Sequence, residues 1–435
     1  MTQNKPYQRV VLPNGLTVFF INVNTVKTFY AILYVKVGAV NEDETNSGIC
    51  HFLEHFVHER TKNYKNPKLF YEAIEFEGMY WGAATGRFDT RYWVASPVGK
   101  EEKALEFLYE PVFLSTLPQS RLNHVKEIVL NEYSDYWSDP ETRFGQKMFL
   151  KRTKNKNVYQ NDLLGRPETV KLLTKKVLLD WKEKHYQPTK MILFVVGNFN
   201  QQKVMTKIKS SFSKLKKAEE YKGFPKPKVS YSDFLVYRQK DKQDQVKFLL
   251  SFPAFGLKEV KLQKGIQAWL LNFIVGGSYC SRLSRVLRED NDLVYAVGSG
   301  LNVFPFMGEF AIRGSTARKN LLRSMSLIKQ ELEEIKKSGV TQKEIQKAKN
   351  LYRRDIICFN FETPWQIASW LVSEEFWSKK ILLPEDYMKE AEVVSGKEVK
   401  VLAEDIFDFS KLNIGLRGNL KKDEVDMVKS VFKDF

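Results

Sequence analysis

Two segments half the chain apart repeat one another, and that repeat limits the possible architecture more than any single motif does. Met191-Ile-Leu-Phe-Val-Val-Gly197-Asn198, followed by Lys203 to Phe212, recurs as Leu412-Asn-Ile-Gly-Leu-Arg-Gly418-Asn419, followed by Glu424 to Phe432. Upstream, Thr174 to Lys182 resembles Ser395 to Ala403 in the same relative position. A strand-and-helix unit present twice calls for two cores of similar design. At 435 residues the chain also exceeds what one ordinary core encloses. Two domains are therefore expected, 1–215 and 232–435, joined by a linker at 216–231 that is rich in Lys, Pro and Tyr and lacks apolar periodicity.

Strand and helix signals alternate throughout. β-Branched and aromatic runs at Thr28–Val37, Arg91–Val98 and Lys247–Phe252 predict strands. Apolar residues at helical spacing appear around His51, over Lys103–Phe113 and from Arg323 through Leu351. The expected class is α+β, with helices laid on sheets.

The chemistry concentrates at His51-Phe-Leu-Glu54-His55, an H-x-x-E-H arrangement. On a helix, residues four apart share one face, so both imidazoles can reach one ion while Glu54 stands beside it. Zinc accepts neutral imidazole and carboxylate, and three protein ligands leave a fourth position for water. The third ligand can be sought by pattern. If Pro118–Tyr136 is a helix, its stripe runs Leu122, Val125, Val129, Glu132, Tyr136, which places a carboxylate where an apolar residue belongs. An acid on a core-facing stripe needs a cation, strong donors or a shifted pKa. A metal satisfies it, and a partly exposed stripe edge or a pairing with Lys or Arg is the rival account. His58 lies too far along the axis to share an ion with both His51 and His55, and His124 and His185 have no ligand spacing. Cys50 is turned away from His51 and is expected to pack.

The formal net charge of +17 raises nucleic acid as a partner, but the lysines are scattered through both halves without interleaved stacking aromatics. A solvated basic surface is the simpler account. Gly276-Gly277-Ser278 lacks the spacing and the Lys of a phosphate loop. Neither a secretory signal nor a run of eighteen apolar residues is visible, so no membrane partner is expected. Three widely spaced cysteines argue against a disulfide framework, and a cytoplasmic location is expected.

Taken in order, these motifs resemble the insulinase-like M16 metallopeptidases, the inverzincins, and within them the half-length class that includes mitochondrial processing peptidase and bacterial relatives. Leu12-Pro-Asn-Gly-Leu-Thr-Val18, Val37-Gly38-Ala39, Gly48-Ile-Cys-His51-Phe-Leu-Glu54-His55 and Glu127-Ile-Val-Leu-Asn-Glu132 carry the resemblance in the first half. In the second half, Gly276-Gly277, Ser281-Arg282-Leu283, Arg288-Glu289 and Leu293-Val294-Tyr295 carry it.

The resemblance implies two duplicated units of the LuxS/MPP-like metallohydrolase fold, each a mostly antiparallel sheet flanked by helices. It implies one zinc per chain on His51, His55 and Glu132, with Glu54 as the base that activates water. Arg288 and Tyr295 are implied donors to the substrate carbonyl, acting across a homodimer that closes around a chamber. Gly82-Ala83-Ala84-Thr85 is a candidate edge strand for an extended peptide substrate. Two departures stand out: the family usually has Asn where Gly82 stands, and active relatives commonly hold a Glu where Val125 stands. They favour the alternative of a weakly active or inactive peptide-binding assembly subunit of the same fold. S-ribosylhomocysteine lyase also uses an H-x-x-E-H helix, but it is far shorter and does not fit the duplication.

Overall fold

The computed structural model describes residues 5–216, 219–378 and 380–433. The chain divides into two compact units, Met1–Asp139 with Asn157–Pro227, and Pro140–Lys156 with Lys228–Phe435. Residues 140–156, which precede the expected linker, thus pack with the second unit. Phe144 and Met148 of the helix Pro140–Lys151 cluster with Leu249 and Ala311. Among the described residues of 216–230 there is no helix or strand.

Among the described residues, the first unit holds six strands, β1 (Gln8–Val11), β2 (Thr17–Asn22), β3 (Thr28–Val35), β4 (Tyr80–Thr85), β5 (Thr90–Pro97) and β6 (Met191–Gly197), in the order β1-β2-β6-β3-β5-β4. The second holds β7 (Leu235–Lys240), β8 (Gln245–Ala254), β9 (Val294–Phe304), β10 (Met307–Ala317) and β11 (Asn413–Gly418), in the order β7-β11-β8-β10-β9. Without β1 the two orders superimpose. Among the described residues, the parallel pair of each sheet, β2 with β6 and β7 with β11, falls at the same place. The repeat read in the sequence is therefore a repeated fold.

Local chemistry explains the echoes. Thr174 and Ser395 cap the helices Lys175–His185 and Gly396–Ile406, each hydroxyl accepting a backbone N–H of its first turn. At the end of β6, Gly197 has φ +121°, and a Cβ there would lie 2.1 Å from the Thr28 carbonyl oxygen, so only glycine fits. The helical stretch expected from Arg323 through Leu351 is two helices, Leu321–Ser338 and Gln342–Arg354. Gly339, at φ +77°, ends the first, and Thr341 with Glu344 forms a capping box that starts the second.

One face of the first sheet buries Val18, Phe20, Leu33, Val94 and Val195 against Phe52, Phe56, Leu108 and Ile208 from the helices. Each such large side chain contributes about 1.5–3 kcal/mol when taken fully from water. Phe52 and Phe56 lie on the helix that carries the H-x-x-E-H residues, so core packing fixes that helix on the sheet.

Candidate metal centre

The helix Ile49–Phe56 begins at Gly48, which has φ +90° and no capping side chain of its own. The buried Glu42 carboxylate takes that role, accepting the backbone N–H of Gly48 at 2.7 Å and of Cys50 at 3.0 Å. Burial pushes the Glu42 carboxyl up to about 7, against those two bonds. Gly48 and Gly165 pack backbone on backbone, since a Cβ on Gly165 would lie 2.3 Å from the Gly48 Cα. Cys50 is a buried free thiol, as its expected packing role requires.

One turn apart, His51 and His55 present Nε2 atoms 3.2 Å from each other. Glu132 Oε2 lies 3.3 Å from His51 Nε2 and 3.2 Å from His55 Nε2. Donors about 2.0–2.1 Å from a tetrahedral zinc stand roughly 3.3 Å from one another, so the three atoms form one face of such a tetrahedron. Among the described residues, His51, His55 and Glu132 form the one group of three or more such side chains arranged to hold a metal ion. Burial and the nearness of His51 hold His55 below the ordinary imidazole range, favouring the neutral ring that a metal needs. Hydrogen bonding from His51 holds the Glu132 carboxyl below its usual range.

Glu132 arrives from the helix Leu122–Ser138, which starts at Leu122 after a 3-10 turn rather than at Pro118. Its stripe is buried at Leu122, Val125 and Val129 and opens toward solvent at Glu132, whose side chain is 43% exposed, and at Tyr136. The acid is thus at the open end of the stripe and not inside the core. Val125 is fully buried among apolar side chains, and position 125 itself offers no carboxylate. His51 Nδ1 is buried without a hydrogen-bond partner among the described residues.

Glu54 stands on the same helix, and its Oε2 accepts a 2.7 Å hydrogen bond from Thr85 Oγ1. Thr85 ends β4, the outermost strand of its sheet, which also carries Gly82, Ala83 and Ala84. Trp93 on β5 faces Gly82, and a Cβ at 82 would lie 2.4 Å from the indole, so this strand pair has filled the space a longer side chain would need. His58 lies beyond the helix end against Tyr71 and Trp81, with burial holding it down to about 4. His124 is exposed, and the His185 ring lies tilted against Trp181 with ring centres 4.2 Å apart.

The two implied carbonyl donors belong to the second unit. Arg288 pairs with Glu289 at 2.6 Å and lies over the Tyr279 ring at 4.2 Å, while Tyr295, near the start of β9, is 86% exposed. Sequence reasoning missed Glu42 as the cap of the histidine helix, Thr85 as a partner of Glu54, and Tyr279 beside Arg288. Thr85 meets Glu54 from another element, and Glu42 lies just upstream of the helix it caps, but no periodic signal marks either contact.

Two family descriptions cover most of the chain. "Insulinase (Peptidase family M16)" matches residues 17–166, and "Peptidase M16 inactive domain" matches residues 172–352. The chain belongs to the M16 peptidase family. An uncharacterized zinc protease of Rickettsia felis is 28% identical over 80% of this chain and 82% of its own length. The uncharacterized zinc protease YmxG of Bacillus subtilis is 24% identical over 95% and 99%. Solved protease structures share the fold. A Helicobacter pylori protease aligns with TM-score 0.81 at 22% identity, covering 95% of this chain and 99% of the other. The Escherichia coli periplasmic protease PqqL aligns with TM-score 0.84 at 16% identity, and all of this chain corresponds to 51% of it. Among the described residues of this M16 chain, no helix is long and apolar enough to cross a membrane.

Proposed function

We propose that this chain is a zinc-dependent endopeptidase that hydrolyses short or unfolded peptides inside a chamber closed by a homodimer, with one zinc per chain. The observation that carries the reading is the triangle of His51 Nε2, His55 Nε2 and Glu132 Oε2, 3.2–3.3 Å on a side, with the Glu54 carboxylate on the same helix. A bound zinc supplies Lewis acidity and makes water acidic enough to ionise near neutral pH. The protein's own part follows from its side chains. His51, His55 and Glu132 hold the ion. Glu54 takes the proton of the attacking water and later gives it to the departing amine. An extended peptide adds to β4, whose small residues Gly82, Ala83 and Ala84 let a second backbone approach. Arg288 and Tyr295 donate to the scissile carbonyl as negative charge develops on its oxygen, each worth a few kcal/mol.

The test uses the purified chain, elemental analysis and an unstructured fluorogenic peptide. Chelator-sensitive cleavage that disappears in Glu54→Gln while zinc stays at one per chain is the expected result. Turnover in Glu54→Gln near the wild-type rate would remove Glu54 from its role. A second reading, that of a peptide-binding subunit with weak or no activity, draws on the buried Val125 and on the Gly82–Trp93 pair. Tight binding of unstructured peptide by the zinc-loaded wild type, without cleavage, is what that reading predicts.

A further inference from the structure

The Glu54 carboxylate has a demanding position to keep. The last torsion of a glutamate side chain is broad and weakly restrained, so rotamer preference alone does not fix the plane of the carboxylate. A general base works only when one oxygen is held within hydrogen-bond reach of the proton it takes. Thr85 Oγ1 donates to Glu54 Oε2 at 2.7 Å, leaving Oε1 for that proton. The donor is itself rigidly placed. Thr85 ends β4 in register with Thr90, and Thr90 Oγ1 is bound to the Val37 carbonyl at 3.0 Å. The hairpin beyond it is closed by Gly86 N–H donating to the Asp89 carbonyl at 2.7 Å. A neutral hydroxyl suits this task better than a cation, because Lys or Arg in its place would weaken the base as well as orient it.

We propose that Thr85 is a positioning residue for Glu54, so that the strand offered to the peptide and the carboxylate that moves the proton are held as one rigid piece. This rests on the reading of Glu54 as the base. It adds that substrate docked along β4 is referenced to Glu54 through a single side-chain bond at the end of the same strand, three residues beyond Gly82.

The experiment compares zinc-loaded wild type with Thr85→Val, which keeps the shape and removes the donor, and Thr85→Ser, which keeps the donor. Thr85→Val is expected to lower kcat about ten- to a hundredfold, the rate equivalent of one hydrogen bond to a charged group. KM should stay within about twofold, with zinc content and thermal midpoint unchanged, and Thr85→Ser should recover most of the rate. In the Glu54→Gln background, Thr85→Val should have no further effect, as expected of residues acting through one another. Wild-type kcat in Thr85→Val, a loss confined to KM, or a loss that serine does not recover would each overturn the proposal. Should the valine variant fail to fold, Thr85→Ala carries the same comparison.

If the zinc-loaded wild type cleaves nothing, or Glu54→Gln cleaves as fast as wild type, the functional reading of Glu54 fails separately. Crystal structures of the zinc-loaded wild type and Thr85→Val then decide the positioning role. A Glu54 carboxylate that swings away in the variant supports it, and one that keeps its place overturns it.

Discussion

At Gly82, the absence of a side chain is matched by the presence of another. The Trp93 indole across the strand pair stands 2.4 Å from where a Cβ at 82 would be, nearer than any real contact permits. Gly82→Ala must therefore push the indole aside, and the expected cost is about 1–3 kcal/mol of stability, as for other overpacked sites. Trp93→Leu should relieve much of it. A double-mutant cycle by urea unfolding should give a coupling of about 1 kcal/mol or more. A Gly82→Ala protein as stable as wild type would show that Trp93 moves freely, and the explanation of the missing Asn by occupied space would fall. The pair also explains how one departure from the family pattern can be structurally neutral: the Trp93 indole occupies the space beside Gly82.

At the level of elements, Arg282 joins the segment that carries Arg288 to the break between the two helices that follow β10. Its guanidinium grips Glu344 at 2.7 and 2.9 Å and donates to the Gly339 carbonyl at 3.0 Å. Burial alone would raise the Glu344 carboxyl, but Arg282 and the Thr341 N–H reverse that and hold it down to about 2. A carboxyl depressed on folding stabilises fully above its ordinary value near 4.5, and that contribution is lost as pH falls toward about 2. Glu344→Gln should cost about 1–2 kcal/mol, allowing for solvent screening, constant from pH 7 to about 5 and shrinking below about 4. A gap that persists unchanged at low pH would assign the effect to packing.

This site shows where sequence reasoning reached and where it stopped. Thr341-x-x-Glu344 after a glycine is a helix start visible in sequence, yet apolar periodicity runs through it and suggests one long helix. The ionic partner of Glu344 lies far upstream, out of reach of any local pattern. The same holds at the candidate metal centre. His51, Glu54 and His55 are legible because helical spacing brings them together, and Glu132 because it interrupts an apolar stripe. The bond from Thr85 to Glu54 depends on which strand ends beside the helix, which only the fold supplies. The placement of residues 140–156 is of the same kind, since Phe144 and Met148 find their apolar surface on a sheet formed far downstream.

For the whole molecule, the decisive question is which site the proposed donors Arg288 and Tyr295 serve. The candidate metal ligands and Glu54 lie in the first unit and Arg288 and Tyr295 in the second, and both sets belong to one chain. If two copies close on each other, each site takes its zinc and base from one protomer and its Arg288 and Tyr295 from the partner. Under that arrangement, Glu54→Gln and Arg288→Ala are each inactive or nearly so as homodimers, but a mixture is not. In a mixed dimer, the protomer with an intact Glu54 meets the intact Arg288 of its partner, while the opposite site carries both defects. Random re-association should therefore restore about a quarter of the wild-type rate, because half the dimers are mixed and each has one sound site. Turnover assayed after co-refolding or co-expression of the two variants measures this directly. Were Arg288 to serve the zinc of its own chain, every mixed dimer would hold one defect in each site and nothing would be recovered. Recovery thus requires both the dimer and the crossing of donors between protomers, whereas a dimer by size with no recovery separates the two.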